Sequence, residues 1–210
     1  MVFGSIIRIQ EHEELKKITL TGSVLDIGGS RKSGYHGLIK GEHTYTVVNY
    51  GEQHPGADLL FNAEEKFPLD DASYDNVLTM NVLEHIFETH NVFAEVSRVI
   101  KPGGLFVSTV PYMLHIHGSP DDYVRYTESS YQKFADKYGF KLVYIKPLGY
   151  GLFSLIFQTI TIYRVFPFAW LFNFMKYIFV GLDKFLLNFS FYKKLAEKIP
   201  LGYFWIMEKK

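Results

Sequence analysis

The chain has 210 residues, 22 basic and 22 acidic side chains for a net charge of zero, and no cysteine. That length suits one domain with a full-sized core and room for an elaboration. The neutral balance argues against a basic nucleic-acid footprint, and the lack of cysteine excludes disulfides, thiolate catalysis and Cys-based zinc sites.

Met1 to Arg8 shows no basic segment followed by a long apolar core, so no signal peptide is expected. Glu11 to Lys17 reads as a short charged helix with Leu15 and Ile18 as its apolar contacts. Thr19 to Ile27 is the first predicted strand, closing on Val24-Leu25-Asp26-Ile27-Gly28-Gly29-Ser30. Glycines at such a turn let a backbone approach a ligand closely, and Asp26 stands where it could meet a hydroxyl or ammonium group. Residues 31–42 read as a loop or short helix, Thr44 to Val48 as a strand ending at Asn49, and 51–56 as a turn containing Pro55. Asp58 to Phe61 is a short strand followed by Asn62-Ala63-Glu64, and Tyr74 to Met80 is a strand followed by Asn81 to His85.

Val92, Phe93, Val96, Val99 and Ile100 recur at helix spacing, and Lys101-Pro102-Gly103-Gly104 ends that helix. Leu105 to Val110 is uncharged and predicted to be buried on both faces. Thr127 suits an N-cap for a helix with Tyr131, Phe134, Ala135 and Tyr138 on its inner face, closed by Gly139. Lys141 to Ile145 and Tyr203 to Met207 complete the strands. Strands alternating with helical patterns predict an α/β sheet with right-handed crossovers. Ligands in such sheets sit outside the carboxyl ends of the strands, where Asp26, Asn49, Asn62 and Asn81 all fall.

The ordered set Val24 to Gly29, Asn62-Ala63-Glu64 before Phe67-Pro68, Tyr74-Asp75-Asn76-Val77 leading to Leu83-Glu84-His85, and Arg98 to Gly104 resembles the class I S-adenosylmethionine-dependent methyltransferases of the type 11 group. Val110-Pro111-Tyr112 and His117 to Thr127 resemble a subset associated with surface-polysaccharide and glycan biosynthesis. The resemblance covers about residues 20 to 148 and, loosely, the last strand. It implies a Rossmann-like, mostly parallel seven-stranded sheet with the last strand antiparallel, and S-adenosylmethionine as cofactor. Asp26, Gly28, Gly29, Ser30, Asn49, Asn62, Ala63 and Asn81 would then bind it. Ser30 stands where the family has a second glycine, and Asn49 and Asn62 where it has acids. Neutral acceptors in place of two charged ones would weaken binding by roughly one to two decades, unless Glu52 or Asp58 compensates.

The loop after strand five would lie at the cofactor's methyl end. Transfer to an oxygen needs an oriented acceptor and a proton acceptor, so His117 is expected as base, Asp122 as orienting or substrate-binding acid, and Arg125 either as anion binder or as the loop's lock. Tyr112, Tyr123 and His85 are expected at the substrate. The plainer alternatives are a His117 bonded to loop backbone, tyrosines in the core, and His85 capping a turn. No metal site is expected, because His115 and His117 lie two apart with no matched pair elsewhere.

Residues 148–200 form an aromatic-rich hydrophobic helical insertion before the last strand, within a single domain spanning 1–210. Ser154, Gln158 and Thr161 make a narrow polar stripe opposite Leu152, Phe153, Leu155, Ile156, Phe157, Ile160 and Ile162. Between 151 and 200, Arg164, Lys176, Lys184, Lys193, Lys194 and Lys198 stand against Asp183 and Glu197. A membrane-interface helix, a lid over the substrate, a homodimer surface and, at the edge of sufficient length, a membrane span are the readings. The chain is thus expected to be a cytoplasmic enzyme, peripheral at most to the inner face of a membrane, methylating a hydroxyl of a sugar or glycolipid. The rival expectations are a small hydrophobic acceptor such as a quinone precursor, and a methyltransferase-like binding module without turnover.

Overall fold

The computed structural model describes residues 5–51, 56–118, 120–160 and 169–210, with side chains of the last segment from 174 onward. Glu52, Pro55, Ser119, Thr161, Ile162 and Arg164, all invoked above, lie outside the described residues.

Seven strands form one sheet in the order β3-β2-β1-β4-β5-β7-β6. They are β1 (Gly22–Ile27), β2 (His43–Asn49), β3 (Leu59–Leu60), β4 (Tyr74–Met80), β5 (Ile100–Pro111), β6 (Phe140–Leu148) and β7 (Gly202–Lys209). The pairs among β1 to β5 are parallel, and β7 runs antiparallel to both β5 and β6. This is the sheet that the resemblance implied. Strand order reverses between β1 and β4, which opens a crevice at their carboxyl ends.

Successive side chains of a strand point to opposite faces, and each face has its own core. On one face Leu25, Val77, Phe106 and Trp205 meet Val92, Phe93 and Val96 of α2 (Thr89–Val99) and Tyr131 and Phe134 of α3 (Glu128–Lys137). On the other, Val24, Leu78, Val107 and Phe204 meet Ile6, Ile7 and Leu15 of α1 (Ile6–Leu15). β5 is buried from Phe106 to Pro111, as a strand covered on both sides should be.

The boundaries differ from expectation for local reasons. α1 begins at Ile6, because the Ser5 hydroxyl accepts the Arg8 N–H at 3.3 Å and Ile6 and Ile7 are buried. β1 begins at Gly22, whose φ of +79° and contact with Asp75 admit no side chain; Thr19 makes only an isolated bridge to Lys40. Residues 100–104 close α2 but already belong to β5, with a register shift opposite Tyr74 and Asn76. Thr127 sits at the N-cap of α3 without a side-chain bond to the helix backbone.

Between β6 and β7 the described residues form α4 (Leu152–Ile160), α5 (Ala169–Leu186) and α6 (Ser190–Ala196). No helix among the described residues is long and apolar enough to cross a membrane.

Candidate functional site

The glycine turn closes β1 against its neighbours. Gly28 has φ +77°, its N–H donates to the Val48 carbonyl at 2.8 Å, and a Cβ there would meet Val82 at 2.4 Å. A Cβ on Gly29 would meet the Asp26 carboxylate at 1.9 Å. Both positions are therefore closed to a side chain by packing inside the protein.

Asp26 is fully buried and accepts from the Tyr35 hydroxyl at 2.8 Å and contacts His36 Nε2 at 2.7 Å. Burial pushes its carboxyl above the usual range, against the opposing pull of His36 and Tyr35. Asp26 thus anchors the single 3₁₀ turn, His36–Leu38, that follows the glycines. The Ser30 N–H donates to the Ser33 hydroxyl at 2.9 Å. Asn49 donates to the Gly29 carbonyl at 3.0 Å and accepts from Tyr50 N–H at 2.8 Å. Asn62 accepts from Glu64 N–H at 3.0 Å, and the Ala63 carbonyl faces Asn91 at 3.3 Å. Asp58, the expected compensating acid, is held by Arg31 and by Val47 N–H at 2.9 Å.

What remains unsatisfied lies one strand over. Asn81, with φ +56°, extends its amide to Glu11 Oε2 at 2.6 Å. Glu11 is wholly buried, its other oxygen has no hydrogen-bond partner, and burial raises its carboxyl. The buried Thr109 hydroxyl lies close enough to lower that carboxyl without closing a hydrogen bond of good geometry. A carboxylate with one oxygen lacking a hydrogen bond, 4.0 Å from His12 Nε2, and an unpaired hydroxyl at the carboxyl ends of β4 and β5 suit a cationic ligand, such as one carrying a sulfonium and an ammonium group. Sequence reading missed Glu11. The available signal was its place at i+4 from Ile7 and i−4 from Leu15, which puts an acid on the apolar face of α1.

The second half of the site is built by the 3₁₀ turn Leu83–His85 and by the loop after β5. The Glu84 carbonyl accepts Tyr123 N–H at 2.8 Å, which docks that loop on the turn. His85 Nδ1 lies 2.5 Å from the Asp121 carbonyl, and His117 Nδ1 lies 3.2 Å from the His115 carbonyl. A carbonyl only accepts, so both Nδ1 atoms donate to it, and in the neutral ring Nε2 would be the acceptor. Those Nε2 atoms approach Glu84 Oε1 at 3.6 and 3.9 Å. Glu84 is fully buried, neither of its oxygens has a hydrogen-bond partner, and desolvation pushes its pKa up to about 8.

Asp122 Oδ2 accepts the His117 backbone N–H at 2.9 Å and lies 3.5 Å from its Nδ1. The Arg125 guanidinium grips both Asp122 oxygens and holds that carboxyl down at about 2. Arg125 also donates to the Val124 carbonyl at 2.8 Å. Tyr123 is exposed and donates to Asp121 at 3.0 Å, while Tyr112 packs edge-on against Tyr203. Glu84, His85 and His117 bring their ligating atoms within 4.8 Å of one another, a set that could hold a cation and that chain spacing alone did not reveal. Beside this loop, Met113, Leu114 and His115 line a cavity of about 270 Å³ against Leu155, Gln158 and Thr159 of α4.

The family model described as a methyltransferase domain matches residues 44–108. A probable S-adenosylmethionine-dependent methyltransferase of Mycolicibacterium smegmatis is 33% identical over 66 residues, 31% of this chain and 26% of that protein. A ubiquinone biosynthesis O-methyltransferase of Maricaulis maris is 38% identical over 45 residues, 21% of this chain and 18% of that one. The matched stretches thus span about a quarter or less of these relatives' lengths. A solved geranyl diphosphate C-methyltransferase from Streptomyces coelicolor, in complex with Mg2+, geranyl diphosphate and S-adenosylhomocysteine, superposes with a TM-score of 0.58. It is 12% identical, covering 97% of this chain and 81% of that one. The chain thus shares the fold of solved methyltransferases, and residues 44–108 match a methyltransferase domain.

Proposed function

We propose that the chain is an S-adenosylmethionine-dependent methyltransferase acting on a hydroxyl of a sugar or glycolipid intermediate. The observation that carries this reading is His117, whose Nδ1 faces a carbonyl and a carboxylate and whose Nε2 makes no hydrogen bond among the described residues closer than the Glu84 carboxyl at 3.9 Å. The cofactor supplies a methyl group already activated on a sulfonium, so the protein's tasks are positioning and proton removal. Asn49, Asn62 and the Gly28–Gly29 turn would hold its adenosine end, with Asn81 and Glu11 at the charged end. His117 Nε2 would take the proton that the acceptor hydroxyl loses when its oxygen is methylated. Asp122, kept ionised by Arg125, orients the ring and stabilises the imidazolium. His85 and Tyr123 border the acceptor, and Tyr112 supports the strand end beside it. The test is incubation with S-adenosylmethionine and a panel of nucleotide sugars and glycolipids, read by mass for one added methyl group. No product from any of them sinks the acceptor class.

Two specific observations favour second readings. The 270 Å³ cavity is lined chiefly by Met113, Leu114 and Leu155, which would suit a small hydrophobic acceptor such as a quinone precursor. The side chains of Asn49, Asn62 and Asp26 all engage protein groups, which would suit a binding module without turnover. Calorimetry at millimolar S-adenosylmethionine separates the module: measurable heat supports the enzyme, and none supports the module.

A further inference from the structure

The helices between β6 and β7 are patterned inside out. Ser154 and Gln158 of α4 and Lys176 and Asp183 of α5 are buried, whereas Phe174 (60% exposed), Tyr177 (71%), Ile178, Leu182 and Phe185 (63%) face outward. Positions 174, 177, 178, 182 and 185 form one face of a helix, and a surface helix of a water-soluble domain turns such a stripe inward. The stripe continues past α5. The rings of Phe185 and Phe189 lie 6.0 Å apart and those of Phe189 and Phe191 6.1 Å, with Phe191 67% exposed and Leu195 one turn further on.

This face is held rigidly. Asp183 accepts the Phe153 N–H at 3.0 Å and the Ser154 N–H at 2.6 Å, capping α4 from α5, and also binds the Ser154 and Tyr192 hydroxyls. The aromatics therefore point outward because a hydrogen-bonded interior fixes them there. So contiguous an apolar face marks an interaction site. The same elements carry exposed Lys184, which lies over the Tyr150 ring at 4.9 Å, and exposed Lys193 and Lys194, with Lys198 just after α6, against Glu197. In a two-fold dimer through this face the lysine-rich borders of the two copies would meet like charge, whereas anionic headgroups above acyl chains match both the cations and the aromatics.

We propose that the outer face of α5 and α6 docks on an anionic lipid bilayer, lying in its interface. The inference stands apart from the methyl-transfer reading, since its test needs no turnover. The full chain is sedimented with vesicles of phosphatidylcholine alone and of phosphatidylcholine containing about one-third phosphatidylglycerol. Expected is at least roughly tenfold stronger partition to the anionic vesicles, reduced by about tenfold or more in Phe185→Ser/Phe191→Ser at unchanged melting temperature. Lys193→Glu/Lys194→Glu should abolish the preference for anionic vesicles. A chain that stays in the supernatant with both vesicles overturns the proposal. So does a dimer in sedimentation velocity that Phe185→Ser/Phe191→Ser dissociates, which would assign the face to a second copy.

Discussion

Glu84 sits buried between two imidazole Nε2 atoms with its pKa pushed up to about 8, against about 4.5 in an unfolded chain. Between those two values the folded state binds more protons than the unfolded one, so this group makes stability fall as pH rises from about 4.5 and level off above 8. The full effect is on the order of 4–5 kcal/mol. Glu84→Gln should therefore raise the melting temperature of the ligand-free protein by several degrees at pH 8.5 and leave it nearly unchanged at pH 5. A uniform shift at both pH values would contradict the burial argument. Asp122 acts in the opposite sense: held at about 2 by Arg125, it contributes stability above pH 4 that is lost as pH falls toward 2. His117→Ala should lower turnover on an identified acceptor by about 10²–10⁴-fold without changing cofactor affinity. Full turnover in that variant would exclude His117 as the base. A chelator should leave wild-type activity intact, and its loss would mean that Glu84, His85 and His117 hold a cation.

Helices and strands here are joined by a few polar knots, part-exposed at Arg98 and Asp75 and buried at Asp183. Arg98 on α2 reaches the Phe67 and Leu69 carbonyls at 3.0 and 2.7 Å, along with Asp71 and Glu95, so the loop after β3 is fastened to a helix about thirty residues on. Asp75 of β4 accepts from Ser23 of β1 and Lys101 of β5 at 2.8 and 2.7 Å, which holds its pKa at about 2. These residues recur in the motifs that made the resemblance legible, and their contacts give the motifs a structural meaning. Asp183 is the corresponding knot of the insertion. Asp183→Ala leaves two helix N–H groups and two hydroxyls without their acceptor, at a cost of about 3 kcal/mol. Hydrogen exchange should then show the amides of 152–155 losing protection while β4 and β5 keep theirs. Unchanged protection in α4 would mean that packing alone holds the helix.

At the scale of the molecule, α1 bridges the carboxyl end of β4 and the start of the insertion. Glu11 reaches Asn81, Gln10 accepts from Gly149 N–H at 2.5 Å, and Glu14 binds Lys146 at 2.5 Å and Tyr144 at 3.0 Å. Glu11→Gln should weaken S-adenosylmethionine binding by roughly tenfold while sparing 5′-methylthioadenosine, which carries neither the sulfonium nor the ammonium charge. Equal loss for both ligands would place Glu11 away from the charged end. The sequence by itself determined the alternation of strands and helices, the carboxyl-end positions of Asn49, Asn62 and Asn81, and the hydrophobic character of 148–200. All of these follow from local periodicity and turn chemistry, which act between near neighbours in the chain. Only the tertiary structure decided that Asp26 turns to Tyr35 and His36, that Val82 fills the space beside Gly28, and that Glu84 lies between His85 and His117. It also decided that the polar stripe of α4 faces inward onto Asp183. Burial and hydrogen-bond partners are set by residues far apart in sequence, so no local pattern could reveal which polar groups would be satisfied within the protein and which would be left for a ligand.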